Sequence, residues 1–504
     1  MKLTRINYGM AGIAIFGASM LAVVVTLSQA QQPPESMKAD TKAVVTTLTQ
    51  VLGRPTDHSI TLSVLAPDDM DAYIEYGVKA GSYPSKVAAK TTKGGVPVEF
   101  VVDKLKPNTH YSYRLRYRKP GAAAYTAGEA NSFQTQRPAG SSFVFGVEGD
   151  SHPERVNRMY DAAMFDRTLA QVRGEKPDFY IALGDDFSVD TLTTLTPEVV
   201  NQLYINQRAF FGKVASSAPL FLVNGNHEQA AKYLLDGTPN NVAVWAGKAR
   251  NLYYPQPEPD GFYTGDTEPV QFVGLRRDYY AWTWGDALFV TIDPYWQSPT
   301  QVGTEVGFER PDKDKSNRKG AKNGYTYTLE SIGWGSTLGD AQYKWLKKTL
   351  EESHAKYKFI FTHHVMGIDR GGIKLADLYE WGGKNHKGEW EFDKMRPGWE
   401  LPIHQLMVKT GVTIFFQGHD HLFAHEVKDG IVYQETPNPA DPSNSTPFPD
   451  AYAGDILPGG GHLRVSVTPD NVKVDYIRSY LPKDETPAHK QGEVAYSYAV
   501  KPRK

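Results

Sequence analysis

The sequence predicts an all-β sandwich followed by an α/β domain whose sheet layers are flanked by helices. Three observations carry this. Short β-branched and aromatic runs separated by turn signals fill residues 43–137. Apolar runs alternate with helical stretches over residues 141–482. A chain of 504 residues is also too long for one compact core.

The elements come in this order. Residues 1–30 read as a secretory signal: Lys2 and Arg5 precede an apolar run from Gly9 to Leu27, and Ser28 to Ala30 form a small-residue cleavage site. Export to the periplasm or the medium is expected, with no membrane span after cleavage. The apolar run is long enough to leave an uncleaved anchor open. Residues 31–42 form a polar linker, and residues 43–138 the sandwich. Within it, Leu105, Pro107, Thr109 and Tyr111 resemble the tyrosine-corner stretch of fibronectin type III domains, a stabilising device. In the α/β domain (141–482), apolar strands are expected at 143–147, 179–183, 220–223, 358–361 and 412–416. Helices are expected near 153–173, 197–212 and 339–353, the last with Asp340 as a plausible cap. A strand–turn–strand pattern covers 461–480, and residues 483–504 read as a polar tail.

The residues just after each apolar run are the informative ones. "EGDSH" brings Asp150 and His152, "GDD" brings Asp185, and "NGNHE" brings Asn226 and His227. "THH" brings His363, and "QGHDH" brings His419 and His421. Functional groups of open α/β sheets gather beyond the carboxyl ends of the strands, so five such endings in order mark one site. The chain has no cysteine, so any metal is held by His, Asp, Asn or Glu. Imidazole and carboxylate together suit iron, zinc or manganese, as two divalent or trivalent ions. Asp185 is the natural bridge between them. Asp150, His152 and His421 complete one ion; Asn226, His363 and His419 complete the other. Glycines 149, 184, 225 and 418 let the backbone turn sharply and approach closely.

This ordered set resembles the calcineurin-like metallophosphoesterases, and the preceding sandwich makes it most similar to purple acid phosphatases and their bacterial relatives. The resemblance spans residues 43–480 or so. It implies hydrolysis of a small phosphoester by hydroxide generated at the ions, with Asp185 bridging and His227 as proton donor to the leaving group or as phosphate hydrogen-bond donor. Two positions depart from the purple enzymes. Ser188 stands where they carry a tyrosine, and His152 is an added ligand, so no phenolate colour is expected.

Other residues carry alternatives. His364 touches substrate or packs under its loop, and Arg370, Trp381 and Lys384 lie in a glycine-rich stretch (366–390) that binds an anion or forms a structured surface loop. His364 and Arg370 are the candidate substrate residues. Asp420 is expected to orient an imidazole or face water, and Asp186 to contact substrate or cap the next segment. Residues 300–335 and 436–450 are expected at the rim. The formal net charge of -2 excludes nucleic acid as a bulk electrostatic partner. A phosphomonoesterase is the first reading. A phosphodiesterase of the same mechanism comes second, and an inert cell-surface binding protein third.

Overall fold

The computed structural model describes residues 43–228, 230–299, 333–364 and 370–503. The expected signal and linker, most of the 300–335 segment and residues 366–369 lie outside them.

Residues 49–134 build two sheets. Thr49–Gly53, Ile60–Leu65 and Val98–Val102 form one; Met70–Gly77, His110–Arg118 and Thr126–Gln134, with two short edge strands, form the other. Alternation decides the faces. Leu52, Leu62, Val64 and Phe100 from the first sheet meet Ala72, Ile74, Tyr113, Leu115 and Phe133 from the second in one buried cluster. The Lys106 N–H donates to the Tyr111 hydroxyl at 2.9 Å, tying the corner. Arg208, on the helix Pro197–Ala215, is fully buried at the boundary with the next layers. It donates to Thr49 Oγ1 (2.9 Å), Ser63 O (2.7 Å) and Tyr253 O.

The remaining chain is layered helix, sheet, sheet, helix. The first sheet runs Leu220–Leu222, Phe179–Ala182, Phe143–Glu148, Gly461–Val467, Val472–Arg478, Val494–Val500, and its first three strands are parallel. The second has Ala287–Thr291, Tyr357–Phe361, Ile414–Gln417 and Ile431–Glu435 as parallel neighbours. Continuous apolar runs suit strands covered on both faces. Between the sheets, Phe145 stacks on Phe179 at 5.4 Å and Phe361 on Phe416 at 4.9 Å. Each fully buried ring contributes about 1.5–3 kcal/mol. Helices Ala162–Glu175, Pro197–Ala215 and Val242–Tyr253 cover the outer face of the first sheet; Gly339–Glu352 and Ile403–Thr410 cover that of the second.

Three expectations are corrected. The helix expected from 153 begins at Ala162, because the Asp161 side chain accepts from Ala163 and Met164 N–H and starts it there. Asp340 does not cap its helix; it lies in the first turn and accepts from Trp399 Nε1 at 2.7 Å. The expected tail is not a tail. Val494–Val500 pairs antiparallel with Val472–Arg478, where "VAYSYAV" alternates as an edge strand should.

Candidate metal centre

All three leading strands of the first sheet, and two of the second, deliver their carboxyl ends to one place. Asp150, Asp185, His363 and His419 offer ligand atoms that lie within 4.8 Å of one another, as do Asp150, His152 and His421. His152, Asp185 and His227 form a third such group. His421 Nε2 stands 3.1 Å from Asp150 Oδ2, and His363 Nε2 stands 3.1 Å from Asp185 Oδ2. Asn226 sits on the loop beside them and is buried.

The backbone is bent to allow this. His152, Asp185, His419 and His421 have φ of 48°, 53°, 82° and 64°, a left-handed conformation costing about 1 kcal/mol or more for such residues. Gly184, at φ 91°, turns the chain into Asp185. Gly225 serves another purpose: a Cβ there would lie 2.2 Å from both Asp185 N and Oδ1. Glu228 fastens the two loops, accepting from Asp186 N–H at 2.8 Å and Gly225 N–H at 2.7 Å.

Supporting contacts fix the rings. His363 Nδ1 donates to Leu183 O at 2.8 Å, which turns Nε2 towards the cluster. His152 Nδ1 lies 2.9 Å from Glu154 Oε1, and the Ser188 hydroxyl donates to that same oxygen at 2.5 Å. Ser188 therefore helps to hold the partner of His152. Asp150 Oδ1 accepts from His419 N–H, leaving Oδ2 for the cluster.

The residues present fit cations. Asp150 Oδ2, His152 Nε2, His363 Nε2 and both His419 ring nitrogens are buried without a well-formed hydrogen bond. Electrostatics agrees. Burial pulls His152 and His363 down, but Asp185 with Glu154 carries His152 up to about 9, and Asp185 with Asp150 carries His363 up to about 10. Burial raises Asp150, yet His363 and His421 hold it at about 2. Burial, then His364 and Arg370, keep His419 well below the usual imidazole range, and burial lowers His421. Carboxylates here retain protons on imidazoles that cations would displace.

The other expected residues take varied places. His227 stands at the edge of the cluster, its N–H donating to Asp185 Oδ1 at 2.8 Å and its Nδ1 lying 2.7 Å from Asp190 Oδ1. His364 is fully buried, stacked on His419 at 4.1 Å. Arg370 donates to Asp420 Oδ1 at 2.6 Å and lies 3.8 Å over the Phe448 ring. Asp420 thus orients no imidazole; it also accepts from Gly371 N–H and the Tyr452 hydroxyl. Asp186 neither caps nor reaches the surface: burial, with Glu228 and Glu148 near it, holds its carboxyl well above the usual range. Trp381 is packed in the core and Lys384 is exposed. The 436–450 segment is more than a rim, since Pro437 O accepts from Gly149 N–H and Asn438 N–H donates to His421 O.

Sequence reasoning missed Asp190, Glu228, Tyr295 and Arg155. The buried Tyr295 ring lies 6.2 Å from both His363 and His364. "GNHE" held the only sequence signal, for Glu228; the others are contacts between distant or unpatterned residues.

A family model for calcineurin-like phosphoesterases matches residues 143–423, more than half of the chain. No curated protein matches the sequence. Among solved structures, the chain is similar to PhoD (15% identity, TM-score 0.60), covering 92% of this chain and 91% of that one. It is also similar to the purple acid phosphatase PPD1 from yellow lupin, Lupinus luteus, seeds (15% identity, TM-score 0.57), covering 90% and 74%. At such identity the likeness is one of fold.

Proposed function

Since the chain belongs to the calcineurin-like phosphoesterase family of metal-dependent phosphoric ester hydrolases, we propose that it hydrolyses a phosphomonoester at a dinuclear centre. Asp150, His152 and His421 would hold one ion and Asn226, His363 and His419 the other, with Asp185 as the carboxylate shared between them. The observation that carries this is the convergence of strand-end side chains on one spot, with ligand atoms of Asp150, His152, His363 and His419 buried without well-formed hydrogen bonds. An all-nitrogen and oxygen donor set without phenolate suits manganese, zinc or iron. Bound there, the ions supply Lewis acidity toward water and the phosphoryl oxygens.

The protein's own groups do the rest. Asp190 orients the His227 ring, and the Asp185 carboxylate holds its backbone, so Nε2 faces the reacting region. His227 handles the proton of the departing alkoxide or donates a hydrogen bond to phosphate. Leu183 O and Glu154 keep His363 and His152 in the tautomers that ligation requires.

Residues 43–138 act as a fibronectin type III-like scaffold ahead of a catalytic domain at 141–482. The two-sheet core and the Lys106–Tyr111 contact support that reading. The charged, then apolar amino terminus supports export. Among the described residues no helix is long and apolar enough to cross a membrane.

The test is hydrolysis of a nitrophenyl phosphate monoester and the matching bis-nitrophenyl diester, with added Mn²⁺, Zn²⁺ or iron and after chelation, beside His419→Ala. Chelator-sensitive turnover, preferring the monoester and lost in the variant, supports the reading. Preference for the diester selects the phosphodiesterase, and metal-independent turnover rejects both.

A further inference from the structure

We propose that Arg155 is the phosphate-binding arginine of this site, its guanidinium grasping the dianionic terminal phosphoryl group and so selecting monoesters; this rests on the phosphoesterase reading above. Arg155 lies on the loop after the strand Phe143–Glu148, three residues beyond His152. A short turn fixes it there: its N–H donates to His152 O at 2.9 Å, and its carbonyl accepts from Arg158 N–H at 3.1 Å. Its Nη2 is 3.1 Å from His227 Nε2, which is itself 3.8 Å from Asp185 Oδ2. The cation therefore stands at the mouth of the cluster.

Its present partners are poor ones for a guanidinium. Nη1 meets the Met159 thioether at 3.3 Å, a weak acceptor, and Nη2 meets an imidazole nitrogen rather than a carboxylate. Nε is 3.4 Å from Glu154 Oε1, but that oxygen is already engaged by Ser188 and His152. Among the described residues no carboxylate lies against either terminal nitrogen. A fork with five N–H donors whose two tips meet only a thioether and an imidazole is open to a bidentate oxyanion. The side chain keeps 21% of its surface exposed, enough to swing from His227 to an incoming phosphate.

Arg370, the arginine the sequence suggested, is bound differently. Asp420, fully buried, takes its Nη1 at 2.6 Å, and Phe448 covers its face. Its charge is already matched, so it braces the His419 loop rather than waiting for an anion.

The experiment is titration of the metal-loaded full chain with inorganic phosphate by calorimetry, in wild type, Arg155→Met and Arg155→Lys. Metal content and kcat/KM for the monoester and diester are measured on the same samples. The expected result is unchanged metal content, phosphate binding weaker by about 10²-fold in Arg155→Met and partly retained in Arg155→Lys. The monoester kcat/KM falls further than that of the diester. Phosphate binding within twofold of wild type in Arg155→Met overturns the proposal, including where kcat alone falls, since Arg155 would then only brace His227. Loss of metal in both variants also overturns it, leaving Arg155 a prop of the loop. Absence of phosphate binding by the loaded wild type places the failure in the phosphoesterase reading beneath it.

Discussion

Gly225→Ala should break the centre while Gly174→Ala, the same change, should strengthen the protein. A Cβ at 225 would lie 2.2 Å from Asp185 N, 2.2 Å from Asp185 Oδ1 and 2.5 Å from Glu228 Oε2. Ordinary carbon contacts need about 3.5 Å, so the Asp185 loop must retreat by roughly 1 Å. Asp185 is already at φ 53° and Gly184 at φ 91°, which leaves little freedom to yield. Overpacking of this kind costs about 1–3 kcal/mol, and a 1 Å displacement of a reacting group costs about 10²-fold in rate. At Gly174, in the exposed last turn of the helix Ala162–Glu175, a Cβ meets nothing within 4 Å, so alanine should gain about 0.5–1 kcal/mol. Urea denaturation of both variants, with metal analysis by mass spectrometry and nitrophenyl phosphate turnover, makes the comparison. A Gly225→Ala protein with the wild-type midpoint, metal content and kcat/KM would refute the close-approach argument.

Two further outcomes are expected. Glu148, fully buried with the Tyr180 hydroxyl as its partner at 2.6 Å, is raised by burial from 4.5 to about 8. A raised carboxyl contributes stability that is full below pH 4.5 and is lost as pH rises through about 8. Glu148→Gln removes that loss, so between pH 4.5 and 8 it should gain on wild type by an amount on the order of 5 kcal/mol, at about 1.4 per pH unit. Urea melts of the chelated proteins across that range check this, and parallel curves count against it. Asp190→Asn should lower kcat by about 10²-fold with metal content unchanged, since the ring of His227 loses its anchoring carboxylate. Steady-state kinetics and metal analysis decide it, and a wild-type kcat removes His227 from proton handling.

The candidate site was legible because each of its expected ligands stands just after an apolar strand. The strands "FVFGV", "FYIAL" and "KFIF" needed no tertiary information; parallel pairing aligns the ends of the first two, and packing of the second sheet on the first brings the third beside them. The strands of the two amino-terminal sheets were legible through their alternation and through Tyr111. The hairpin of Tyr280–Trp284 and Ala287–Thr291, and the helix Val242–Tyr253, passed unread although "WTWGDALF" carries a turn signal. The closing strand was missed because its tyrosines and serine made an edge strand look polar. Arg155 and Asp190 were beyond a sequence reading. Their meaning is the contact each makes with His227, 72 and 37 positions away.

The most direct measurement is the metal content of the dialysed chain by mass spectrometry, beside Asp185→Asn. Asp185 is placed against both halves of the cluster, 3.5 Å from His152 Nε2 and 3.1 Å from His363 Nε2. The expected result is two ions per wild-type chain and less than one in the variant. Equal metal in both proteins, or none in the wild type, would contradict a dinuclear centre bridged at Asp185.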